Sequence, residues 1–212
     1  MNTGFSIMLI VQLANLNTAT INYALLSEQI INDANQMNGQ RKKQFLICRS
    51  ILADLLNQYC HTFTLPPIVI GENSRPCFLD QTLPDFNISH SQDRVAVAIS
   101  LNGKVGLDIE LARQRKHYLK VAENFFDNDE YQWMIAQTDT LSAFWQLWTL
   151  KESALKLYAK GVWQMKSVKI DLNHQLIHAP FASHFYYQYQ QVDDVHLAVN
   201  SSMPITRFIL QR

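Results

Sequence analysis

The sequence has few cysteines, no excess of charge of either sign and no long hydrophobic run, and each shortage excludes a class of protein. Its three cysteines show no CxxC or metal-ligand spacing, and one stays unpaired in any disulfide scheme, which favours a reducing compartment. Eighteen basic residues balance eighteen acidic ones, so bulk electrostatics attracts neither nucleic acid nor a membrane surface. No apolar run approaches the length of a membrane span. We therefore predict a soluble, cytoplasmic protein that binds neither nucleic acid nor membrane.

Several common catalytic motifs are also missing from the 212 residues. There is no P-loop, no kinase-type glycine loop and no GxSxG nucleophile elbow. The apolar opening segment, Phe5 to Ala14, has neither the basic region nor the cleavage site of a signal peptide. We predict an internal strand over Ser6–Leu13 instead.

The strongest pattern is the stretch from Phe144 to Gly161, which predicts one helix. Apolar residues recur every three or four positions, and Gly161 is the first helix-breaking residue. Glu152 lies one turn after Trp148 and one turn before Lys156, on or beside the face that should be buried. A carboxylate there needs a partner. That partner is either Lys156 or a cation shared with carboxylates from elsewhere in the chain.

A second acidic pattern lies upstream, in the predicted strand Val105–Leu111. With a period of two, Gly106, Asp108 and Glu110 point to one side of this strand. Mg²⁺ in proteins is bound by one or two carboxylates, with phosphate oxygens and waters completing its octahedron. Two strand carboxylates and Glu152 together therefore suit a metal that also binds a diphosphate.

The order of predicted elements favours an α+β fold, because strands come in runs rather than alternating with helices. Each half offers a long helix, Arg41–Tyr59 or the Glu152 helix, followed by antiparallel strands. Further strands are predicted at Ile68–Ile70, Phe86–His90, Arg94–Ser100, Ser167–Leu172, His184–Gln190, His196–Val199 and Thr206–Leu210. The Asn102-Gly103 pair predicts a hairpin that makes strands 94–100 and 105–111 antiparallel neighbours. The division into halves then falls at 1–103 and 104–212.

Five segments together resemble the signatures of the 4′-phosphopantetheinyl transferases. They are Arg75-Pro76, Phe86-Asn-Ile-Ser-His-Ser91, Gly106-Leu-Asp-Ile-Glu110, Asn124-Phe-Phe-Asp-Asn-Asp-Glu130 and Trp148-Thr-Leu-Lys-Glu-Ser-Ala-Leu-Lys156. Motif order and total length resemble the long, surfactin-synthetase-activating type. The resemblance implies a pseudo-dimer of two similar α+β halves, each with a long helix packed on an antiparallel sheet, and an active site between them.

The resemblance also implies an activity, that of a holo-acyl-carrier-protein synthase. The 4′-phosphopantetheine group of coenzyme A passes to a serine of an apo acyl or peptidyl carrier protein, releasing adenosine 3′,5′-bisphosphate. Asp108, Glu110 and Glu152 would hold Mg²⁺. Glu152, directly or through water, would be the base, and Lys156 would neutralise phosphate charge, so the catalytic set is Asp108, Glu152 and Lys156.

The remaining roles concern coenzyme A and the carrier. Arg75, Ser89 and His90, aided by Arg41, would bind the 3′-phosphate and adenosine end, with Lys156 on the phosphates. The basic residues at 113, 115 and 116, together with the aromatic pair at 125–126, are predicted to dock an acidic carrier. Glu130 either completes the acidic site or lies in the first turn of its helix, and we favour the helix position. A monomer is expected, and a catalytically inactive carrier-binding module is the alternative function.

Overall fold

The computed structural model describes residues 7–172, 174, 176–182 and 185–212. Its helices are α1 Glu28–Asn35, α2 Gly39–Cys60, α3 Tyr118–Phe125, α4 Asn128–Ile135 and α5 Thr140–Leu157. Its strands are β1 Ile7–Asn15, β2 Ile68–Ile70, β3 Pro76–Phe78, β4 Asp85–Ser91, β5 Arg94–Ser100, β6 Val105–Leu111, β7 Lys169–Asp171, β8 Leu176–His178, β9 Tyr186–Val192, β10 Val195–Ser201 and β11 Ile205–Gln211. Short 3₁₀ turns cover Tyr23–Leu25, Glu72–Ser74 and Val162–Ser167. The predicted α+β composition is confirmed.

Two larger sheets organise the molecule. The first has the order β11-β1-β5-β4, with β1 and β11 parallel and the other pairs antiparallel. Helix α2 packs on its outer face, because the apolar side chains of α2, among them Ile47, Leu52 and Leu55, meet Ile10, Val97 and neighbouring strand residues. The second sheet has the antiparallel order β6-β10-β9 and carries α5 on its outer face.

A third core lies between the two sheets. Alternate residues of β1, β5, β6 and β10, such as Leu9, Ala98, Leu107 and Leu197, share this fully apolar cluster. The layers therefore run from α2 through both sheets to α5. Burial on both faces explains why β5 is apolar without interruption from Val95 to Ile99, whereas the equally buried β10 also carries His196, Asn200 and Ser201.

The prediction that β5 and β6 pair through a hairpin at Asn102-Gly103 is wrong. Both edges of β5 are occupied, by β1 and β4, while β6 pairs with β10 in the other sheet. The chain does turn here, with Gly103 at a φ of +78°, but the turn carries it from one sheet to the other. The inner faces of both strands are apolar, so facing each other across the central core buries more surface than pairing edge to edge.

Element boundaries differ from prediction where side chains cap a helix. The turn residues Asn15, Asn17 and Thr18 predict a helix around Thr20–Asn32, but helix α1 begins only after Ser27, whose hydroxyl accepts from the Ile30 N–H. Helix α5 begins earlier and ends at Leu157 rather than near Gly161, because Ala159 adopts a left-handed φ of 51°.

The ranges 1–103 and 104–212 stay a prediction, and β11 from the second range completes the sheet of the first. Residues 1–6 and His184, where two predicted segments begin, lie outside the described residues. Within the part of the chain that is described, no helix combines the length and apolar character needed to cross a membrane.

Candidate active site

The site forms where β4 runs beside β6 and α5 crosses β6. Alternate backbone N–H groups of β6 donate to alternate side chains of β4. These bonds are Val105 to Asp85 Oδ2 (2.8 Å), Leu107 to Asn87 Oδ1 (3.3 Å), Ile109 to Ser89 Oγ (3.2 Å) and Leu111 to Ser91 Oγ (3.1 Å). This side-chain ladder satisfies an edge that lacks a paired strand and joins the two sheets.

Helix α5 approaches β6 unusually closely at Gly106. A Cβ atom at this position would lie 2.1 Å from the Ser153 carbonyl oxygen and 2.5 Å from the Leu157 nitrogen. Only glycine permits that contact. The close approach brings the polar side of α5, which carries Glu152 and Lys156, against Asp108 on β6.

Asp108 is the most confined acidic group of the site, with 5% of its surface exposed. Its Oδ1 accepts from Lys156 Nζ at 2.7 Å and from Ser89 Oγ at 2.9 Å, and Lys156 also donates to Ser89 at 3.0 Å. The Oδ2 atom is buried and has no hydrogen-bond partner. Burial raises the pKa of Asp108, and the charge of Lys156 opposes that rise.

Glu152 and Glu110 complete the acidic group. Burial, together with the charge of Asp108, raises the pKa of Glu152 to about 7. The Oε2 atom of Glu110 accepts from Ser91 Oγ at 2.7 Å and from Arg113 at 3.0 Å. The structure thus brings the three predicted acids and Lys156 into one electrostatic cluster.

Their common ligation of one metal ion stays a prediction. Among residues 7–172, 174, 176–182 and 185–212, no three His, Cys, Asp or Glu side chains already form a metal-binding group. The Lys156 ammonium lies against Asp108 instead. The residues nevertheless fit Mg²⁺, because they offer hard oxygen donors, a buried carboxylate oxygen without a partner, and like charges that a cation would relieve.

The lysine that precedes Glu152 has a different role, which the sequence analysis missed. Lys151 is fully buried, pairs with Glu130 at 2.8 Å and donates to the carbonyl oxygens of Met165 and Val168. Glu130 also forms a capping box with Asp127 and accepts from the Ile170 N–H at 2.7 Å. This arrangement agrees with the favoured helix position for Glu130. An Asp-x-x-Glu box is readable in the sequence, but its distant lysine partner is not.

A cavity of about 580 Å³ opens beside Lys156. It is lined by Asn73, Ser74, Arg75, Pro76, Phe86, Asn87, Ile88, Lys156, Ala159, Lys160, Gly161, Trp163 and Gln164. Trp163 is 80% exposed, and its ring covers Gly161, where a Cβ atom would come within 2.1 Å of it. The cavity therefore has lysines, an exposed indole and an apolar wall of Pro76, Phe86 and Ile88.

The residues predicted to bind the 3′-phosphate do not all lie at one site. Arg75 lines the cavity, but its guanidinium binds both oxygens of Asp85, at 2.6 and 2.7 Å, and the Val105 carbonyl oxygen at 2.8 Å. Ser89 faces Asp108. His90, on the opposite face of β4, shares a second cavity of about 250 Å³ with Arg41 and Arg49.

The predicted docking edge is corrected in one respect. Phe126 is 2% exposed and belongs to the α5 core, so it cannot contact a partner. Arg115 stacks over the rings of Trp148 and Phe144, at 4.8 and 5.4 Å, and Arg113 over Trp145 at 4.6 Å. Aromatic packing thus holds two of the predicted basic residues beside Glu110.

Comparison with known proteins identifies the family. Residues 104–200 match the family model described as the 4′-phosphopantetheinyl transferase superfamily. The chain is 33% identical over 190 residues to the 4′-phosphopantetheinyl transferase AcpT of Salmonella typhi, covering 89% of this chain and 90% of that protein. The chain belongs to the 4′-phosphopantetheinyl transferase superfamily.

A second relative agrees with that assignment. The protein of the same name from Escherichia coli K12 is 31% identical over 170 residues, covering 79% of this chain and 80% of its own length. The prediction of an enzyme, a transferase, is confirmed. The superfamily match includes β6 and α5, and hence Asp108, Glu110, Glu152 and Lys156.

Proposed function

We propose that this transferase moves the 4′-phosphopantetheine group from coenzyme A to a serine of an apo acyl or peptidyl carrier protein. The serine oxygen forms a new bond to phosphorus, and the pyrophosphate bond breaks to release adenosine 3′,5′-bisphosphate. The observation that carries the proposal is the contact of Lys156 with Asp108 at the edge of the 580 Å³ cavity, close to Glu152, whose pKa is about 7. Relatives of the chain are named as transferases of the same 4′-phosphopantetheinyl group.

Mg²⁺ is the proposed cofactor, held by Asp108, Glu110 and Glu152. When bound, it would neutralise charge on the pyrophosphate oxygens. Lys156 is well placed to contribute to the same neutralisation, because its ammonium now lies on Asp108 and could move to a phosphate oxygen. Phosphoryl transfer asks for little more than positioning and charge stabilisation, which these groups can provide.

Glu152 is the proposed proton acceptor for the carrier serine, directly or through water. A general base works best when its pKa lies near the working pH, and a value of about 7 meets that condition. The nucleophile comes from the partner, so the chain needs no activated serine or cysteine of its own.

Coenzyme A is proposed to occupy the cavity beside Lys156. Its phosphates would meet Lys156 and Lys160, and its adenosine would lie along the apolar wall. Of the predicted 3′-phosphate contacts, Arg41 and His90 fit best. They share one open cavity, whereas the guanidinium of Arg75 is already paired with Asp85. Ser89 would serve the acidic cluster rather than the 3′-phosphate.

The carrier is proposed to dock beside Glu110, along the basic segment after β6. Lys116 and Lys120 are exposed there, and Arg113 is partly exposed. An acidic carrier surface would be attracted to this segment, although the whole chain has zero net charge.

We assign the chain to the long, pseudo-dimeric type, with its active site between the halves. Two observations support this: the match to AcpT over 90% of that protein, and the presence of one long helix on the outer face of each sheet. A monomer is the expected state.

The test is to incubate the protein with coenzyme A, Mg²⁺ and an apo carrier, and to measure the carrier's mass. A gain of ~340 Da, the formula mass of the transferred group, supports the proposal. Asp108→Ala should abolish the gain. If wild-type protein binds carriers but modifies none in a panel of several, the inactive binding module is the better description.

A further inference from the structure

The two serines of the Ser89-His-Ser91 segment make the same set of contacts two residues apart. Ser89 Oγ accepts from the Ile109 N–H at 3.2 Å and donates to Asp108 Oδ1 at 2.9 Å. Ser91 Oγ accepts from the Leu111 N–H at 3.1 Å and donates to Glu110 Oε2 at 2.7 Å. Because β4 and β6 share a period of two, each serine faces the carboxylate next to the N–H that it binds.

These contacts fix the direction in which each hydroxyl donates. The backbone N–H occupies a lone pair of the serine oxygen, so the single hydroxyl hydrogen is left for the carboxylate. Each serine is therefore oriented by the sheet backbone, and its oxygen also accepts from the cation of the same site, Lys156 at 3.0 Å for Ser89 and Arg113 at 3.2 Å for Ser91. Ser89 and Ser91 are both buried, so water does not compete freely for these bonds.

A cation completes the pattern at each carboxylate. Lys156 donates to Asp108 Oδ1, and Arg113 donates to Glu110 Oε2, the same oxygens that the serines bind. Two donors on one oxygen hold the carboxylate plane and leave the other oxygen available. For Asp108, that second oxygen is the buried atom without a partner.

We propose that Ser89 and Ser91 are positioning residues that orient Asp108 and Glu110, so that one oxygen of each is presented to a divalent cation. This inference depends on the proposed function, because it assigns the serines to the metal site of that reaction. It gives Ser91, which the sequence analysis did not single out, a defined role.

The side-chain ladder between β4 and β6 contains a matched control, which distinguishes a positioning role of the serines from a purely structural one. Asn87 accepts from the Leu107 N–H at 3.3 Å, as the serines accept from their N–H groups, but the structure shows no bond from Asn87 to either carboxylate. Removing Asn87 weakens the ladder without disturbing an acidic group. Ser91 is the better of the two serines to test, because the cation that contacts it, Arg113, lies outside the proposed catalytic set, whereas Ser89 contacts Lys156.

The test measures Mn²⁺ binding by electron paramagnetic resonance, in the presence of coenzyme A and without carrier. Ser91→Ala should weaken Mn²⁺ binding about 10- to 100-fold, the usual effect of removing a group that orients a metal ligand. Ser91→Thr, which keeps the hydroxyl, should bind within about 3-fold of wild type. Asn87 lines the proposed coenzyme A cavity, so Asn87→Ala is titrated with Mn²⁺ at a coenzyme A concentration shown to saturate this variant. Under that condition it should melt at a lower temperature than wild type but keep wild-type Mn²⁺ affinity.

Coenzyme A binding, followed by the fluorescence of the exposed Trp163, separates the possible failures. If wild type binds coenzyme A and Mn²⁺ and Ser91→Ala binds both equally well, the positioning role is wrong. An equal loss of Mn²⁺ affinity in Asn87→Ala would also overturn it. If wild type binds neither ligand, the proposed function itself fails. Should Ser91→Ala not fold, Ser91→Cys replaces it, because its thiol is nearly isosteric but a weak donor.

Discussion

Replacing Glu152 by glutamine should stabilise the metal-free protein at neutral and alkaline pH. The ionised carboxylate of Glu152 is disfavoured by burial and by the neighbouring charge of Asp108, and Lys156 offsets only part of that cost. Glutamine keeps the shape of the side chain and removes the charge. A gain in stability on substitution is unusual, and it is expected where a charged group serves function at the expense of stability.

The magnitude follows from the pKa of Glu152. A rise from 4.5 to about 7 corresponds to about 3 kcal/mol of unfavourable interaction in the ionised folded protein. The side chain is only half-buried and solvent screens part of this, so we expect a gain of about 1–2 kcal/mol. For a chain of this size the melting temperature should rise by roughly 3–6 °C.

The stability difference between Glu152→Gln and wild type should depend on pH. Below pH 4.5 both folded and unfolded proteins keep the Glu152 proton, so wild type and variant should have equal free energies of unfolding. Between pH 4.5 and about 7 the unfolded chain loses that proton while the folded chain retains it, so wild-type stability falls. The difference should be complete above pH 7.

The assay is urea unfolding in EDTA at pH 5 and pH 8, with Glu123→Gln as control. Glu123 is exposed on α3, so its replacement should change the free energy of unfolding by less than about 0.5 kcal/mol at either pH. A Glu152→Gln variant that is no more stable than wild type at pH 8 would refute the reasoning. So would a gain of equal size at both pH values.

Three further substitutions separate structural from functional residues. Lys151→Met should lower the free energy of unfolding by about 3–5 kcal/mol in chemical denaturation, because it leaves Glu130 buried without its cation; wild-type stability would contradict the structural role of Lys151. Gly106→Ala should push α5 away from β6 and cost at least 10-fold in kcat, on the order of 1.4 kcal/mol; unchanged transfer kinetics would contradict the close packing. Arg41→Ala should raise the KM for coenzyme A at least about 10-fold, the loss of one charge-assisted bond, and that for 3′-dephospho-coenzyme A much less; equal effects would place the 3′-phosphate elsewhere.

The two parts of the acidic cluster were predicted because the evidence for each part is local, and the family resemblance assigned both parts to one site. Asp108 and Glu110 share a face through the period of a strand, and Glu152 and Lys156 are one helical turn apart. Either pattern is readable without tertiary structure. The strands Ile68–Ile70 and Arg94–Ser100 were placed to the residue for the same reason.

What the sequence could not predict depends on contacts between distant elements. The Asn102-Gly103 turn was recognised, but whether it joins neighbouring strands or crosses to a facing sheet depends on which edges other strands occupy. Arg75 was assigned to an anion, and its pairing with Asp85 could not be read from their spacing. Lys151 illustrates the same limit, because its partner Glu130 lies on another helix.

The most direct test of the central claim is anomalous diffraction from crystals grown with coenzyme A and Mn²⁺. The account predicts one Mn²⁺ peak within coordination distance of Asp108 Oδ2, Glu110 and Glu152, with a pyrophosphate oxygen as a further ligand. A peak that Asp108 and Glu152 do not share, even through a bridging water, would contradict it.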